Sequence, residues 1–156
     1  NYLWNGDVER LARSGTHVVH CPTSHDYFGH QRFPLEPLRS AGVNLTLGTD
    51  SLASTRMIPG RRITLSLLAE VREFLSKNSL VSPLEALRWI TVHGARALGL
   101  EGRLGELSPG ALADLIAVPH SGAVEDAVEA VVNHGGCVSA RLIDGEWAIA
   151  PGEGVR

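Results

Sequence analysis

Val43-Asn44-Leu45-Thr46-Leu47-Gly48-Thr49-Asp50-Ser51 is an alternating stretch that stops on a carboxylate. Val43, Leu45 and Leu47 are apolar at period two, with Asn44 and Thr46 between them, which is the pattern of a short buried strand. Gly48 and Thr49 then carry the backbone out to Asp50. In parallel α/β barrels the catalytic groups stand at this kind of position, on the C-terminal end of a strand just before a loop. An aspartate after a strand also serves as a cap for the next segment. The stretch alone leaves both readings open.

Upstream, Thr16-His17-Val18-Val19-His20-Cys21-Pro22-Thr23-Ser24-His25 predicts another short strand, stopped by Pro22 and emptying into a polar, aromatic loop. Between the two strands, Pro34 to Ala41 has helical character. Pro34 suits a first helical position, Leu35 and Leu38 share a face, and Gly42 stands where a terminating glycine belongs. The order strand, loop, helix, strand, loop predicts a right-handed βαβ unit with both loops on one edge of a parallel sheet.

The pattern continues on either side. Asp7 to Arg13 predicts a short helix capped by Asn5 or Asp7 and stopped at Gly15. Thr64 to Ser76 predicts a longer one, with Leu65, Leu68, Val71 and Leu75 on one stripe. Ser82-Pro83-Leu84-Glu85 has the form of a capping box opening a helix through Ile90, and Thr91 can cap a further helix over Val92 to Leu98. After Gly99 the composition changes. Gly102, Gly105, Pro109 and Gly110 punctuate a linker, and strands are predicted over Asp114 to Val118 and Cys137 to Asp144, with helical periodicity from Ala123 to Val132. Asp144-Gly145 between two apolar runs is a type I′ hairpin signal.

Composition narrows the class. Of 156 residues, 44% are hydrophobic and 20% charged, which is ordinary for folded globular protein. A net charge of −3 gives no reason to expect nucleic acid or an anionic membrane as partner. Cys21 and Cys137 lie far apart in no C-x-x-C, as expected of free thiols in a reducing, cytoplasmic setting. No apolar run reaches the roughly 18 residues that a membrane span needs.

His20-Cys21-Pro22-Thr23-Ser24-His25, followed by Gly48-Thr49-Asp50-Ser51, resembles the last two barrel strands of the amidohydrolase superfamily. The similarity is to the branch that holds cytosine, guanine, S-adenosylhomocysteine and aminofutalosine deaminases and the triazine chlorohydrolases. Gly102-Arg103-Leu104-Gly105-Glu106-Leu107-Ser108-Pro109-Gly110-Ala111-Leu112-Ala113-Asp114-Leu115-Ile116 is similar to the segment with which those chains leave the barrel. The resemblance implies an α/β chain: the C-terminal part of a TIM-type (β/α)8 barrel over residues 1–104, then part of a small β-sandwich over 105–156. The family's His-x-His and His-x-x-Glu metal motifs are not in this sequence, so the chain is expected to be a C-terminal piece of a longer enzyme.

The implied chemistry is hydrolytic deamination of an aminated nitrogen heterocycle or nucleoside. In the family one divalent metal, zinc or alternatively iron, activates water, and the aspartate matching Asp50 ligates that metal and takes the proton from water. Asp50 is therefore the expected catalytic residue and metal ligand. His20, Ser24, His25 and Ser51 are the expected substrate contacts. His20 has a core histidine as its competing reading, and Ser24 a turn-forming hydroxyl. His25 departs from the asparagine common at that position. His93 and His134 read as structural. The basic stretch Arg56-Met57-Ile58-Pro59-Gly60-Arg61-Arg62 reads either as a solvated loop or as a lid.

Two function classes remain at this level. One is the metal-dependent hydrolase, with dechlorination or amide hydrolysis as variants of the same chemistry. The other is a catalytically incomplete piece that folds or assembles but holds metal poorly. The small-molecule heterocycle is the expected partner of the first. Homo-oligomerisation is expected of a chain holding two barrel strands, because each strand leaves a row of backbone donors and acceptors unpaired. Sedimentation analysis is expected to show a dimer or larger assembly, and a monodisperse monomer at high concentration would contradict it.

Overall fold

The fold was obtained as a computed structural model that describes residues 2–55 and 64–152. In chain order the elements are α1 (Asp7–Ser14), β1 (Val18–His20), α2 (Pro22–Tyr27), α3 (Leu35–Ser40), β2 (Leu45–Leu47), α4 (Leu67–Lys77), α5 (Pro83–Ile90), α6 (Val92–Ala97), β3 (Leu115–Ala117), α7 (Ala127–Asn133), β4 (Ala140–Ile143) and β5 (Glu146–Ile149). The class is mixed α/β. The basic stretch 56–62 lies outside the described residues. Among the described residues no helix is long and apolar enough to cross a membrane.

β1 and β2 pair in parallel, with Val18 opposite Leu45, Val19 opposite Thr46 and His20 opposite Leu47. α3 lies between them in sequence, as the crossover a parallel pair requires. Leu45 and Leu47 face a core that also takes Leu38 from α3, Val71 and Phe74 from α4, and Trp89 from α5. Thr46 points the other way, and its hydroxyl donates to the Trp89 carbonyl at 2.5 Å. Asn44 Nδ2 donates to the His93 carbonyl at 3.0 Å, and His93 Nδ1 meets the Leu45 carbonyl at 3.1 Å. Side chains from both partners thus fasten β2 to the α5–α6 corner, and His93 has a structural place there. Beside Thr46, Val19 is 56% exposed and opens onto an apolar groove of about 400 Å³ shared with Leu67, Ile90 and Leu98.

The second sheet has the order β3-β4-β5 and is antiparallel throughout. Its hairpin turns at Asp144 and Gly145, both at positive φ (51° and 80°), as a type I′ turn demands. Asp114 Oδ1 accepts from the Asp144 amide at 2.6 Å, which latches the turn to the linker. α7 is joined to α4 by Arg72, whose Nη1 donates to the Val132 carbonyl at 2.7 Å and the His134 carbonyl at 3.0 Å. A guanidinium there answers the free carbonyls and the negative end of the helix.

Local details differ from the sequence reading. The segment after Pro22 is helix rather than loop, because proline at the first helical position has its φ already set and loses no needed N–H. α1 is capped by Gly6 in a left-handed conformation, not by Asn5 or Asp7, and Asp7 instead accepts from the Trp4 amide at 2.8 Å. α4 begins at Leu67, after Ser66, whose hydroxyl accepts from the Ala69 amide. Thr91 makes no side-chain cap for α6, since its hydroxyl turns back to the Leu87 carbonyl at 2.8 Å.

Gly105 docks the linker on the α5–α6 corner. A Cβ there would meet the Thr91 carbonyl carbon and oxygen at 2.6 Å, backbone atoms that have no rotamer to yield. Gly102 shares the left-handed backbone, yet a Cβ there would meet nothing within 4 Å. Gly102→Ala should therefore cost about 1 kcal/mol, and Gly105→Ala at least about 2 kcal/mol. Paired denaturant titrations check this, and equal losses would show that the close approach is not constraining.

Candidate functional site

The C-terminal ends of β1 and β2 come together because parallel pairing puts them on one edge. The Gly48 amide donates to the His20 carbonyl at 2.9 Å, extending the ladder past β2. A Cβ on Gly48 would stand 2.8 Å from Val19 Cγ1 and 3.2 Å from Cys21 Sγ, so glycine lets the two chains converge here. Beyond it Asp50 takes φ 51°, a left-handed backbone that aspartate tolerates better than most residues. The chain turns sharply there and enters the 3-10 turn Leu52–Ser54.

Two buried serines, one from the segment after β1 and one from the segment after β2, hold the Asp50 carboxylate. Ser24 Oγ donates to Asp50 Oδ2 at 2.6 Å, and Ser24 is 7% exposed. Ser54 Oγ lies 2.9 Å from the same oxygen and 3.0 Å from the Ser51 carbonyl, so its one proton is shared between them. The hydroxyls of Ser24 and then Ser54 pull the Asp50 carboxyl below its usual range, and burial opposes them only weakly. The result is an ionised carboxylate with a fixed Oδ2. Oδ1 takes no hydrogen bond among the described residues, so it is free for a ligand.

Of the residues expected at the site, the structure brings Ser24 and Asp50 into direct contact. Ser51 touches the cluster through its backbone, its carbonyl accepting from the Ser54 amide at 3.2 Å, while its side chain is exposed and makes no cap bond. His20 lies elsewhere. Its ring is 7% exposed and stacks on Phe33 with centroids 4.0 Å apart and planes 12° apart, edge-on to Phe74. His25 comes after Ser24 on α2 but points to another side of that helix. Its ring meets His20 at 5.0 Å and His30 at 5.4 Å, and its Nδ1 is buried with no partner among the described residues. These imidazoles, with Arg32, Phe33 and Lys77, line a cavity of about 360 Å³.

Ser54 was not legible as a site residue. The available signal was a hydroxyl four residues after a strand-end aspartate, within reach if the chain coils, but the coil was not predicted. The donor chemistry at Asp50 suits one hard oxygen ligand to a divalent cation. Among the described residues no group of three or more His, Cys, Asp or Glu is placed to hold a metal. These residues thus fit one position in a metal's coordination and not the whole of it.

Over residues 2–148 the sequence matches the model of the amidohydrolase family. It is 42% identical over 115 residues to 5-methylthioadenosine/S-adenosylhomocysteine deaminase of Syntrophobacter fumaroxidans, covering 72% of this chain and 26% of that protein. The fold matches an adenosine deaminase from Xanthomonas campestris with bound zinc at TM-score 0.75 and 28% identity, over 98% of this chain and 36% of that one. It matches Helicobacter pylori aminofutalosine deaminase at TM-score 0.74 and 29% identity, over 91% and 36%. The chain spans between 25% and 37% of the length of the curated relatives it matches.

The buried imidazole has a consequence for stability. Burial, then the charges of His25 and Lys77, lower the His20 pKa to about 4. In the unfolded chain it returns to about 6.5. Between those values the unfolded state binds the extra proton, so stability falls as pH drops from about 6.5 to about 4, by roughly 3 kcal/mol in all. Denaturant unfolding between pH 7 and pH 4 should show this slope, and His20→Phe should flatten it. An unchanged slope in that variant would assign the effect to other groups.

Proposed function

The chain belongs to the amidohydrolase family, and on that premise we propose that the enzyme containing these residues deaminates an amino-bearing nitrogen heterocycle of a nucleoside, with Asp50 as its proton acceptor. The observation that carries the reading is the Ser24–Asp50–Ser54 cluster, in which two buried hydroxyls fix one oxygen of a strand-end carboxylate and leave the other open. The 5-methylthioadenosine/S-adenosylhomocysteine and aminofutalosine deaminases among the relatives support a nucleoside as substrate.

In the reaction, water adds to the ring carbon that carries the amino group, the carbon–nitrogen bond breaks and ammonia leaves. Asp50 must accept a proton from water and return one to the departing nitrogen. The two serines keep it ionised, and because they occupy Oδ2 they direct this work to Oδ1. Asp50 would also be one ligand of a divalent cation, and the zinc bound in the Xanthomonas campestris adenosine deaminase supports zinc as that cation. When bound, such a cation supplies the Lewis acidity that makes water nucleophilic near neutral pH. The remaining donors would come from outside the described residues. His25, which follows Ser24 on α2, is the imidazole proposed to touch the heterocycle, and the exposed Ser51, next to Asp50 in sequence, the hydroxyl.

The same reading makes β1 and β2 two strands of a (β/α)8 barrel, with residues 1–104 on the barrel side and the antiparallel sheet within 105–156 as part of a β-sandwich. The apolar groove beside Val19 supports it, since a barrel strand is covered on both faces. A reducing, cytoplasmic setting suits the free Cys21 and Cys137.

In the active enzyme, Asp50→Ala should lower kcat for ammonia release from S-adenosylhomocysteine or 5-methylthioadenosine by about a thousandfold or more. Bound zinc should fall with it, while far-ultraviolet circular dichroism stays unchanged. Near-parent turnover would overturn the assignment. His25→Asn should change the preference between the two nucleosides more than the metal content, and the reverse result would remove His25 from the substrate site.

A further inference from the structure

Glu70 is a carboxylate in the wrong surroundings. It sits on α4 between core positions, only 5% exposed, beside Val71 at 0% and near Phe74 at 1%. Burying a carboxylate costs several kcal/mol unless hydrogen bonds replace its water, and an apolar side chain would fill the same space without that cost. Among the described residues its side chain has one partner: Oε2 accepts from the Thr23 backbone amide at 2.9 Å, across 47 residues of sequence.

That amide belongs to the first turn of α2, where the helix lacks its own cap. The N-cap residue is Cys21, which makes no side-chain cap bond, and Pro22 has no N–H to satisfy. Thr23 is therefore the first residue of the turn with a donor in need of an acceptor. Serine, threonine or aspartate at the cap would normally supply it. Here α4 supplies it from the other side of the core. α4 also reaches the last turn of α2, where Lys77 pairs with Asp26 at the surface. The exposed pair contributes little; at the buried first turn, Glu70 is the acceptor that α4 supplies.

The residue after Thr23 is Ser24, whose hydroxyl fixes Asp50. One peptide unit, planar and stiff, separates the amide that Glu70 holds from the side chain that holds the carboxylate. We propose that Glu70 is a positioning residue for Asp50, acting through the Thr23 amide and the Ser24 hydroxyl. This rests on the reading of Asp50 as the proton acceptor. Ser54 reaches the same oxygen from the turn after β2 and does not depend on Glu70.

The test combines backbone hydrogen exchange with kinetics in the active enzyme. In the unmodified protein the Thr23 amide should exchange about a hundredfold slower than an unstructured amide, or slower still. Glu70→Gln keeps an acceptor oxygen and should leave kcat within about threefold of the parent. Glu70→Leu removes it, and should speed Thr23 exchange by about tenfold or more and lower kcat by about 10- to 100-fold with KM within about threefold. In a Ser24→Ala background, Glu70→Leu should cost almost nothing further, because both changes break one path. An additive loss there would overturn the proposal. So would an unprotected Thr23 amide in the unmodified protein, a measurement that needs no variant to fold. If Glu70→Leu frees Thr23 and displaces the Ser24 hydroxyl in a crystal structure while Asp50→Ala leaves turnover intact, the positioning path stands and the catalytic reading of Asp50 falls.

Discussion

The parallel register of β1 and β2, with His20 opposite Leu47, sets where everything chemical in this chain can stand. Parallel strands end on the same edge, so the segments that leave His20 and Leu47 must meet. An antiparallel pair would have placed Ser24 and Asp50 at opposite ends of the sheet. The convergence is tight enough that a Cβ at Gly48 would crowd Val19 and Cys21. The left-handed backbone at Asp50 then turns the chain so that Ser54, four residues on, returns to the same carboxylate oxygen.

The site is held by parts of the fold that carry no chemistry of their own. The helix α2 presents Ser24 to one side and His25 to another, and α4 fastens that helix at its buried first turn and its exposed last one. β2 is pinned independently through Asn44, Leu45 and Thr46 to the α5–α6 corner. Two separate anchorages therefore converge on one oxygen of Asp50. A carboxylate fixed in this way does not have to reorganise when charge develops near it, which is the property that makes preorganised polar sites effective.

His20 shows how one residue type can belong to either the core or the site. Its alternation with Val19 puts it on the same face as Val18, Leu45 and Leu47, so it stacks on Phe33 instead of reaching the Asp50 cluster. Burial makes it a neutral imidazole over the ordinary pH range. His25 and His30 continue the imidazole series outward from it into the cavity. One histidine is structural support for the next.

Alternation in Val43–Leu47, the strand-end Asp50 and the Asp144-Gly145 turn were all legible in the sequence, because each depends on neighbours a few residues apart. A period of two, a carboxylate after a glycine and a turn requiring positive φ are local facts. The short helix after Pro22, the Ser54 hydroxyl on Asp50 and the Glu70 carboxylate on Thr23 were not, and for His20 the sequence left core and site both open. Those depend on which strand pairs with which and on what the core leaves unsatisfied. No local pattern distinguishes a glutamate that caps a helix 47 residues away from one that faces water. The sequence determined that a carboxylate would end a strand; only the tertiary structure decided which groups would hold it, since hydrogen bonds between distant segments exist only after the chain has closed around them.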